Sequence, residues 1–339
     1  MSLSKNLKSQ DKVIDLTQRR AERELMREYN KSLKVVQGKV ADLFRKYSDA
    51  DGKLSLADVS KYNRLANLEK DIVKEMGKLS SKQNLTTTKT IKRVYEESFY
   101  RTAFVVENEV RRQFESRLAF GLLPDKQVKA AVLNPYDRIG WPERSKNGIR
   151  TGTRRVKEAV TQGIIQGKGY AQTAREMKGM FDKTASDALR IIQTESHRAR
   201  EQGRWDSYDE ATEQGLILRA FWESALDDAT REMHQDMDGR EAMEVYDPKQ
   251  GEEDYLFELP DGIVGYPGNT GEAHHDINCR CTTRVELEGV KPDKRRVRLS
   301  DEEYERRLAE ADGDKSKVSR SEVVPYKSYH EWANDNGIK

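Results

Sequence analysis

Three of the five histidines and both cysteines of this 339-residue chain lie between Leu226 and Cys281. The stretch opens Leu226-Asp227-Asp228-Ala229-Thr230-Arg231-Glu232-Met233-His234, passes through Met237-Asp238-Gly239, and closes His274-His275-Asp276-Ile277-Asn278-Cys279-Arg280-Cys281. His234, His275, Cys279 and Cys281 are the ligand types of a four-coordinate zinc site. Cys279 follows His275 by four positions, a workable spacing, but Cys-x-Cys is looser than the usual Cys-x2-Cys. A second chemistry is acid–base work by Glu195, Arg231 and His234, as in a metal-dependent enzyme of the nuclease or transferase kind. No known catalytic signature accompanies these residues. A thiol–imidazole pair, Cys279 with His275, is a third. Against all three stands a plainer role: the cysteines pack as small hydrophobes, while Arg231, His234 and Asp238 hold irregular loops together. The expectation on balance is no reaction and no cofactor, with zinc the exception to look for.

The elements that position these residues can be read locally. Leu216 to Trp222 reads as a buried strand. Asp227 or Asp228 then caps a short helix carrying Arg231 and His234, and Asp238-Gly239 turns the chain. Residues 244–271, with Pro248, Pro260, Pro267 and several glycines, read as irregular. Cys279, Cys281, Thr283, Val285 and Leu287 alternate with polar residues and so share one face of a strand. Upstream, Val156, Val160 and Ile164 mark a short helix that Gly163, Gly167 and Gly169 end. A second helix runs from Tyr170 through Phe181, and Thr184 or Ser186 caps a third. On that third helix Glu195 shares a face with Ile191 and Ile192. A carboxylate drawn toward the core needs a partner, and Arg190, Arg198 and Arg231 are the candidates.

The first 130 residues carry three apolar stripes at helical spacing. The first is Leu25, Tyr29, Leu33, Val36, Val40, Leu43 and Tyr47; the second is Tyr62, Leu65, Leu68, Ile72, Met76 and Leu79; the third runs from Ile91 to Leu118. The polar run 80–88 reads as the break between helices two and three. Asp49-Ala50-Asp51-Gly52 resembles part of a calcium loop, but Tyr47 would stand at the first ligand position and Asp58 at the last, where a bidentate Glu is expected. A turn, with Ser55 capping the next helix, is the better reading.

Composition bounds the rest. Hydrophobic and charged residues are each 35% of the chain, more charged than an ordinary globular domain. Much of it must therefore be solvated helix. Lys+Arg 61 against Asp+Glu 59 leaves no global field to steer the protein to a polyanion, so nucleic-acid contact would have to come from a local patch. Lys291, Lys294, Arg295, Arg296 and Arg298 form one such run, read by default as a solvated linker. No apolar run approaches the ~18 residues of a membrane span. The polar N-terminus carries no secretory signal, and two cysteines make no disulfide framework, which fits synthesis in a reducing cytoplasm. A charged helix from Asp301 to Ala311 and an aromatic cluster, Tyr326 to Trp332, make up the tail.

An ordered set of motifs carries a resemblance. It comprises Asn134-Pro135, Ile164-Ile165-Gln166-Gly167-Lys168-Gly169-Tyr170, Thr194-Glu195, Trp222, Asp227, Thr230-Arg231, His234, Asp238-Gly239, Pro267-Gly268 and Ile277-Asn278-Cys279-Arg280-Cys281. Over roughly 131–288 the chain resembles the phage Mu protein F-like minor head proteins, the head-morphogenesis family of tailed bacteriophages. It departs from the pattern near 228 and 229, where a basic residue or serine is expected. The resemblance implies a minor virion component made in the host bacterial cytoplasm. It implies work in head assembly at the portal or capsid interior, with the portal protein and the major capsid or scaffolding protein as partners. Contact with double-stranded DNA is a further implication, and a membrane role is not. The structural signature would comprise Glu195, Asp227, Thr230, Arg231, His234, Asp238, Gly239, Asn278, Cys279 and Cys281. The expected fold is α+β and predominantly helical: a charged helical region over 1–130, a compact domain with a small antiparallel sheet over 131–290, and a basic linker with a tail over 291–339.

Overall fold

The computed structural model describes residues 3–114, 118–133, 140–247, 251–288, 294–315 and 317–325. Their order is α1 (Leu3–Tyr47), α2 (Leu56–Ser60), α3 (Arg64–Phe114), α4 (Asp125–Leu133), α5 (Trp141–Ile165), α6 (Tyr170–Glu213), β1 (Leu218–Glu223), α7 (Glu232–Asp236), β2 (Met243–Asp247), β3 (Glu252–Glu258), β4 (Val264–Gly265), α8 (Ala273–Asp276), β5 (Thr282–Leu287), β6 (Lys294–Arg298), α9 (Asp301–Glu310) and β7 (Ser321–Pro325). The α+β, mainly helical class is as expected. Two compact units result, each built from separated stretches. One comprises Lys12–Ser98 and Leu122–Arg200; the other comprises Met1–Asp11, Phe99–Gly121 and Glu201–Lys339. The sequence segment 131–290 contributes to both.

The first unit is all helix. The α1 stripe Leu25 to Leu43 is buried along its length, as its 4,4,3,4,3 spacing requires. From Tyr29 onward it packs with Leu68, Ile72, Met76 and Leu79 of α3, Val156, Val160 and Ile164 of α5, and Met177, Phe181 and Ala185 of α6. The polar run 80–88 does not break α3, which is one helix of 51 residues. Gln83, Thr86 and Thr87 face inward, while Ser81, Lys82 and Thr88 face solvent. The Tyr29 hydroxyl donates to Gln83 Oε1 (2.7 Å), and Gln83 Nε2 donates to Ser145 Oγ (2.8 Å). Satisfied in this way, buried polar groups cost little, so polarity was no signal of a break here. The expected cap at Thr184 or Ser186 is also absent: α6 runs 44 residues unbroken, and Thr184 Oγ1 donates to Met180 O inside the helix (2.8 Å). Trp141-Pro142 opens α5, where proline is tolerated in a first turn. The turn after Asp49 is as expected, with Ser55 Oγ accepting from Asp58 N (3.0 Å).

Where α5 meets α6, glycine allows close approach. A Cβ on Gly163 would stand 2.6 Å from Thr173 Oγ1, and one on Gly152 would clash with Thr184. Gly179, also helical, has nothing within 4 Å of such a Cβ. Alanine normally stabilises a helix over glycine by about 1 kcal/mol, whereas forcing atoms into a filled contact costs about 1–3 kcal/mol. Gly163→Ala is therefore expected to lower, and Gly179→Ala to raise, the midpoint of urea unfolding. Equal shifts would show that the α5–α6 contact is not close.

The second unit pairs helix segments with three small antiparallel sheets: β1–β5, β2–β3–β4 and β6–β7. In the first, Ala220 lies opposite Val285 and Trp222 opposite Thr283. These residues share a core with Val106 and Val110 of α3 and with Trp205 and Tyr208 of α6. Residues 244–271, expected to be irregular, hold β2, β3 and β4. Backbone pairing there is not announced by composition, since glycines and prolines sit in the connections. Glu201 of α6 ties helix to sheet, accepting from Arg204 Nη1 (3.1 Å), Thr282 Oγ1 (3.0 Å) and Thr283 N (3.0 Å). The expected tail helix is α9, capped by Ser300. The aromatic cluster from Tyr326 to Trp332 lies outside the described residues.

Candidate functional site: a buried histidine–cysteine cluster

Irregular backbone brings the cluster together, and a network of side chains to main chain holds that backbone in place. After β1 the chain turns at Leu226, whose φ is 54°. Ser224 N donates to Asp238 Oδ1 (2.8 Å), and Ser224 Oγ donates to His234 O. Gly239, at φ 79°, lets its own N–H reach Trp222 O (2.8 Å). Arg231 Nη2 donates to Ile277 O (2.5 Å), linking the α7 region to the loop before β5. The expected cap on α7 is different: Arg231 occupies the N-cap position without a side-chain bond. Asp227 instead closes a local turn, accepting from Ala229 N and Thr230 Oγ1 (both 3.1 Å). It also receives the Arg280 fork, with Nη2 at 2.6 Å. Desolvation would raise the Asp227 carboxyl, but the hydrogen bonds and charge of Arg280 outweigh it and hold the group below its ordinary value.

A carboxylate lowered on folding contributes stability above its ordinary value of 3.8 that is lost as pH falls through the lower, folded value. Both partners are about half-exposed, so screening keeps the pair small. Asp227→Asn is expected to cost less than about 1 kcal/mol at pH 7, and the difference from wild type should vanish in acid. A persistent difference at pH 2 would assign the effect to packing.

The cysteines do not extend the β5 face. The strand begins at Thr282, and Asn278, left-handed at φ 57°, turns the chain so that both thiols point inward from the loop before it. Asparagine tolerates this region better than most residues. Cys281 Sγ lies 3.5 Å and Cys279 Sγ 3.7 Å from His234 Nδ1. On the far side of the imidazole, His234 Nε2 stands 3.0 Å from His275 Nδ1, with the rings within 14° of parallel. His275 Nε2 in turn lies 2.9 Å from Asp261 Oδ2, which His274 also approaches at 3.2 Å. Trp222 covers His234 edge-on, 5.3 Å between ring centres. Three residues of the expected zinc set therefore converge. The fourth, His275, is a correction: it stands behind His234 as its hydrogen-bond partner.

This chain of contacts fixes the tautomers. Asp261 can only accept, so His275 Nε2 carries its proton and Nδ1 is the acceptor. His234 Nε2–H then donates to it, which leaves Nδ1 facing the two sulfurs. Hydrogen bonds from His275 and His274, working against desolvation, hold Asp261 down at about 2. Burial pushes His275 down. The Cys279 thiol hydrogen-bonds the Cys281 sulfur, which holds Cys281 well below the thiol range and raises Cys279.

Glu195 is not part of this constellation. It lies in the helical unit, where Arg198 Nε donates to it at 2.9 Å and Arg144 Nη2 donates to its other oxygen. Of its expected partners, Arg198 is found, Arg190 pairs with Asp187 and Arg231 bonds Ile277 O. Sequence reasoning missed Arg144, Asp261 and Ser224: each is an ordinary surface type distant in sequence from its partner. Of the basic run, Lys291 lies outside the described residues. Lys294, Arg295, Arg296 and Arg298 lie on β6, paired with β7, so this part is strand and not linker.

Residues 154–284 match the family described as Phage Mu protein F like protein, a span that includes the whole cluster. The chain is 27% identical to Minor head protein GP7 of Bacillus phage SPP1 over 328 residues, 96% of each chain. It is 29% identical over 180 residues to the NAD(+)--arginine ADP-ribosyltransferase EFV of Enterococcus faecalis, covering 53% of this chain and 31% of that protein. No solved structure matches the chain. The motifs in sequence order and the match that spans them agree: residues 154–284 are similar to the Phage Mu protein F-like family, and the chain is similar along almost its whole length to a phage minor head protein.

Proposed function

We propose that this minor head protein acts in head assembly at the portal vertex or capsid interior, in few copies, and catalyses no reaction. The observation that carries this reading is the likeness to a phage minor head protein along almost the whole of both chains. Its partners on this reading are the portal protein and the major capsid or scaffolding protein. The groups that could serve an enzyme are occupied by the fold: Glu195 by two arginines, Arg231 by the Ile277 carbonyl, His234 by His275 and two thiols. The likeness to a transferase reaches only 31% of that longer protein, and its activity is not carried over. The test is direct. Purified chain mixed with the portal protein of the same phage is expected to co-sediment, and incubation with NAD+ and an arginine acceptor is expected to release no nicotinamide. Separate sedimentation would remove the portal partner. Turnover lost in a folded Glu195→Ala variant would establish the enzyme instead.

We further propose that Lys291, Lys294, Arg295, Arg296 and Arg298 contact packaged double-stranded DNA. Each phosphate neutralised contributes a slope of about −0.9 in log affinity against log salt. Neutralising all five is expected to flatten that dependence by about 4 to 5. No binding to duplex DNA at low ionic strength would remove this clause.

A further inference from the structure

Both nitrogens of His234 are spoken for in direction, and the inner one faces two sulfurs within a closed interior. We propose that His234 Nδ1, Cys279 Sγ and Cys281 Sγ bind one zinc ion, with a solvent molecule completing the tetrahedron. Three observations converge on this. The three donor atoms lie within 4.8 Å of one another, and all three residues are buried. Their nitrogen–sulfur separations, 3.5 and 3.7 Å, match the roughly 3.6 Å edge of a tetrahedron whose bonds are about 2.3 Å to sulfur and 2.0–2.1 Å to nitrogen. The outer chain, Asp261 to His275 to His234, is what a ligating imidazole requires. A ligand histidine commonly passes its other N–H to a carboxylate or similar acceptor, which fixes the tautomer and raises its basicity.

The ligand types select the metal. Two thiols and one imidazole suit zinc, whereas a hard cation wants oxygens. The neighbouring group of Asp261, His274 and His275 is the weaker candidate, because its carboxylate is used to orient the imidazoles and two of its three residues are exposed. Both sulfurs coordinate as thiolates, any thiol proton passing to solvent as the zinc–sulfur bond forms, and His234 coordinates through Nδ1 as a neutral imidazole. Two thiolates then balance the ion's charge, so a closed site carries no net charge. Because the ligands come from α7 and from the loop between α8 and β5, the ion would fasten two irregular segments that no strand pairing joins. Metal affinity there becomes folding stability.

The experiment uses the full chain, purified without metal-affinity resin. Elemental analysis is expected to find one zinc per chain, and cobalt substitution is expected to give tetrahedral visible bands with thiolate charge transfer. Cys279→Ser, Cys281→Ser and His234→Ala should each lose the metal. His275→Ala and Asp261→Asn, outside the ligand set, should keep it with about 10–100-fold weaker affinity. Should the ligand variants fail to fold, wild type still decides the matter: its unfolding midpoint should drop with chelator and recover with zinc alone. Four outcomes would overturn the proposal. They are metal-free protein whose midpoint ignores both chelator and zinc, equal zinc in the Cys279→Ser and Cys281→Ser variants, a Cys279–Cys281 disulfide in protein kept reduced, or stoichiometric copper in place of zinc.

Discussion

Glu201→Ala is expected to destabilise the sheet-bearing unit by about 3–5 kcal/mol, the cost of removing one partner from a buried, hydrogen-bonded charge network. Glu201 is wholly buried and Arg204 is 3% exposed. The carboxylate takes one bond from the guanidinium, bonds from the Thr282 hydroxyl to both its oxygens, and one from the Thr283 N–H (3.0 Å). Removing it leaves Arg204 with Asp11 and the Thr282 hydroxyl, and orphans the first N–H of β5's inward face. Glu201→Gln should cost less, since an amide oxygen can still accept from Thr283. Urea unfolding gives the size of the effect, and amide exchange gives its place. The Thr283 N–H should lose protection before the helical unit does. A loss under about 1 kcal/mol, with Thr283 still protected, would show that β1–β5 pairing alone secures the helix.

The second large effect lies in the other unit. Glu195→Ala is expected to cost about 3–5 kcal/mol there for the same reason. Glu195 is 2% exposed and Arg198 is 4% exposed. Arg198 also donates to Ala131 O, so α4, α5 and α6 meet at this carboxylate. Arg144 is about one-third exposed and can turn to water; Arg198 cannot. Glu195→Ala combined with Arg198→Met should therefore be more stable than Glu195→Ala alone, because the stranded charge is gone. If the double variant loses as much again as the single, the two residues are not coupled, and the loss measures packing.

How far such sites show in a sequence depends on what carries the signal. The stripes of α1 and α3 were legible because burial along a helix repeats at its own period. The strand at 218–223 was legible because it is a short apolar run ending in Trp222. The continuity of α3 through 80–88 was not, because Gln83 is buried by pairing with Tyr29 and Ser145, partners 54 and 62 positions away. The same limit hid β2 to β4, whose stability lies in pairing and not in composition. Within the candidate site, His234, Cys279 and Cys281 stood out by type. Asp261, within a stretch read only as irregular, did not, though it sets the direction of both imidazoles. Cys279 and Cys281 alternated like strand residues, but left-handed Asn278 places them in a loop. Arg231, Ser224 and Asp238 bond main chain and side chains across these loops.

The central claim is that this chain is built into the phage head as a minor component. Quantitative mass spectrometry of purified empty proheads and DNA-filled particles, scaled to the portal protein, tests it most directly. The chain is expected in both, in a fixed and small number of copies relative to the major capsid protein. Its absence from both particle types, with normal heads assembling without it, would overturn the proposed role in the head.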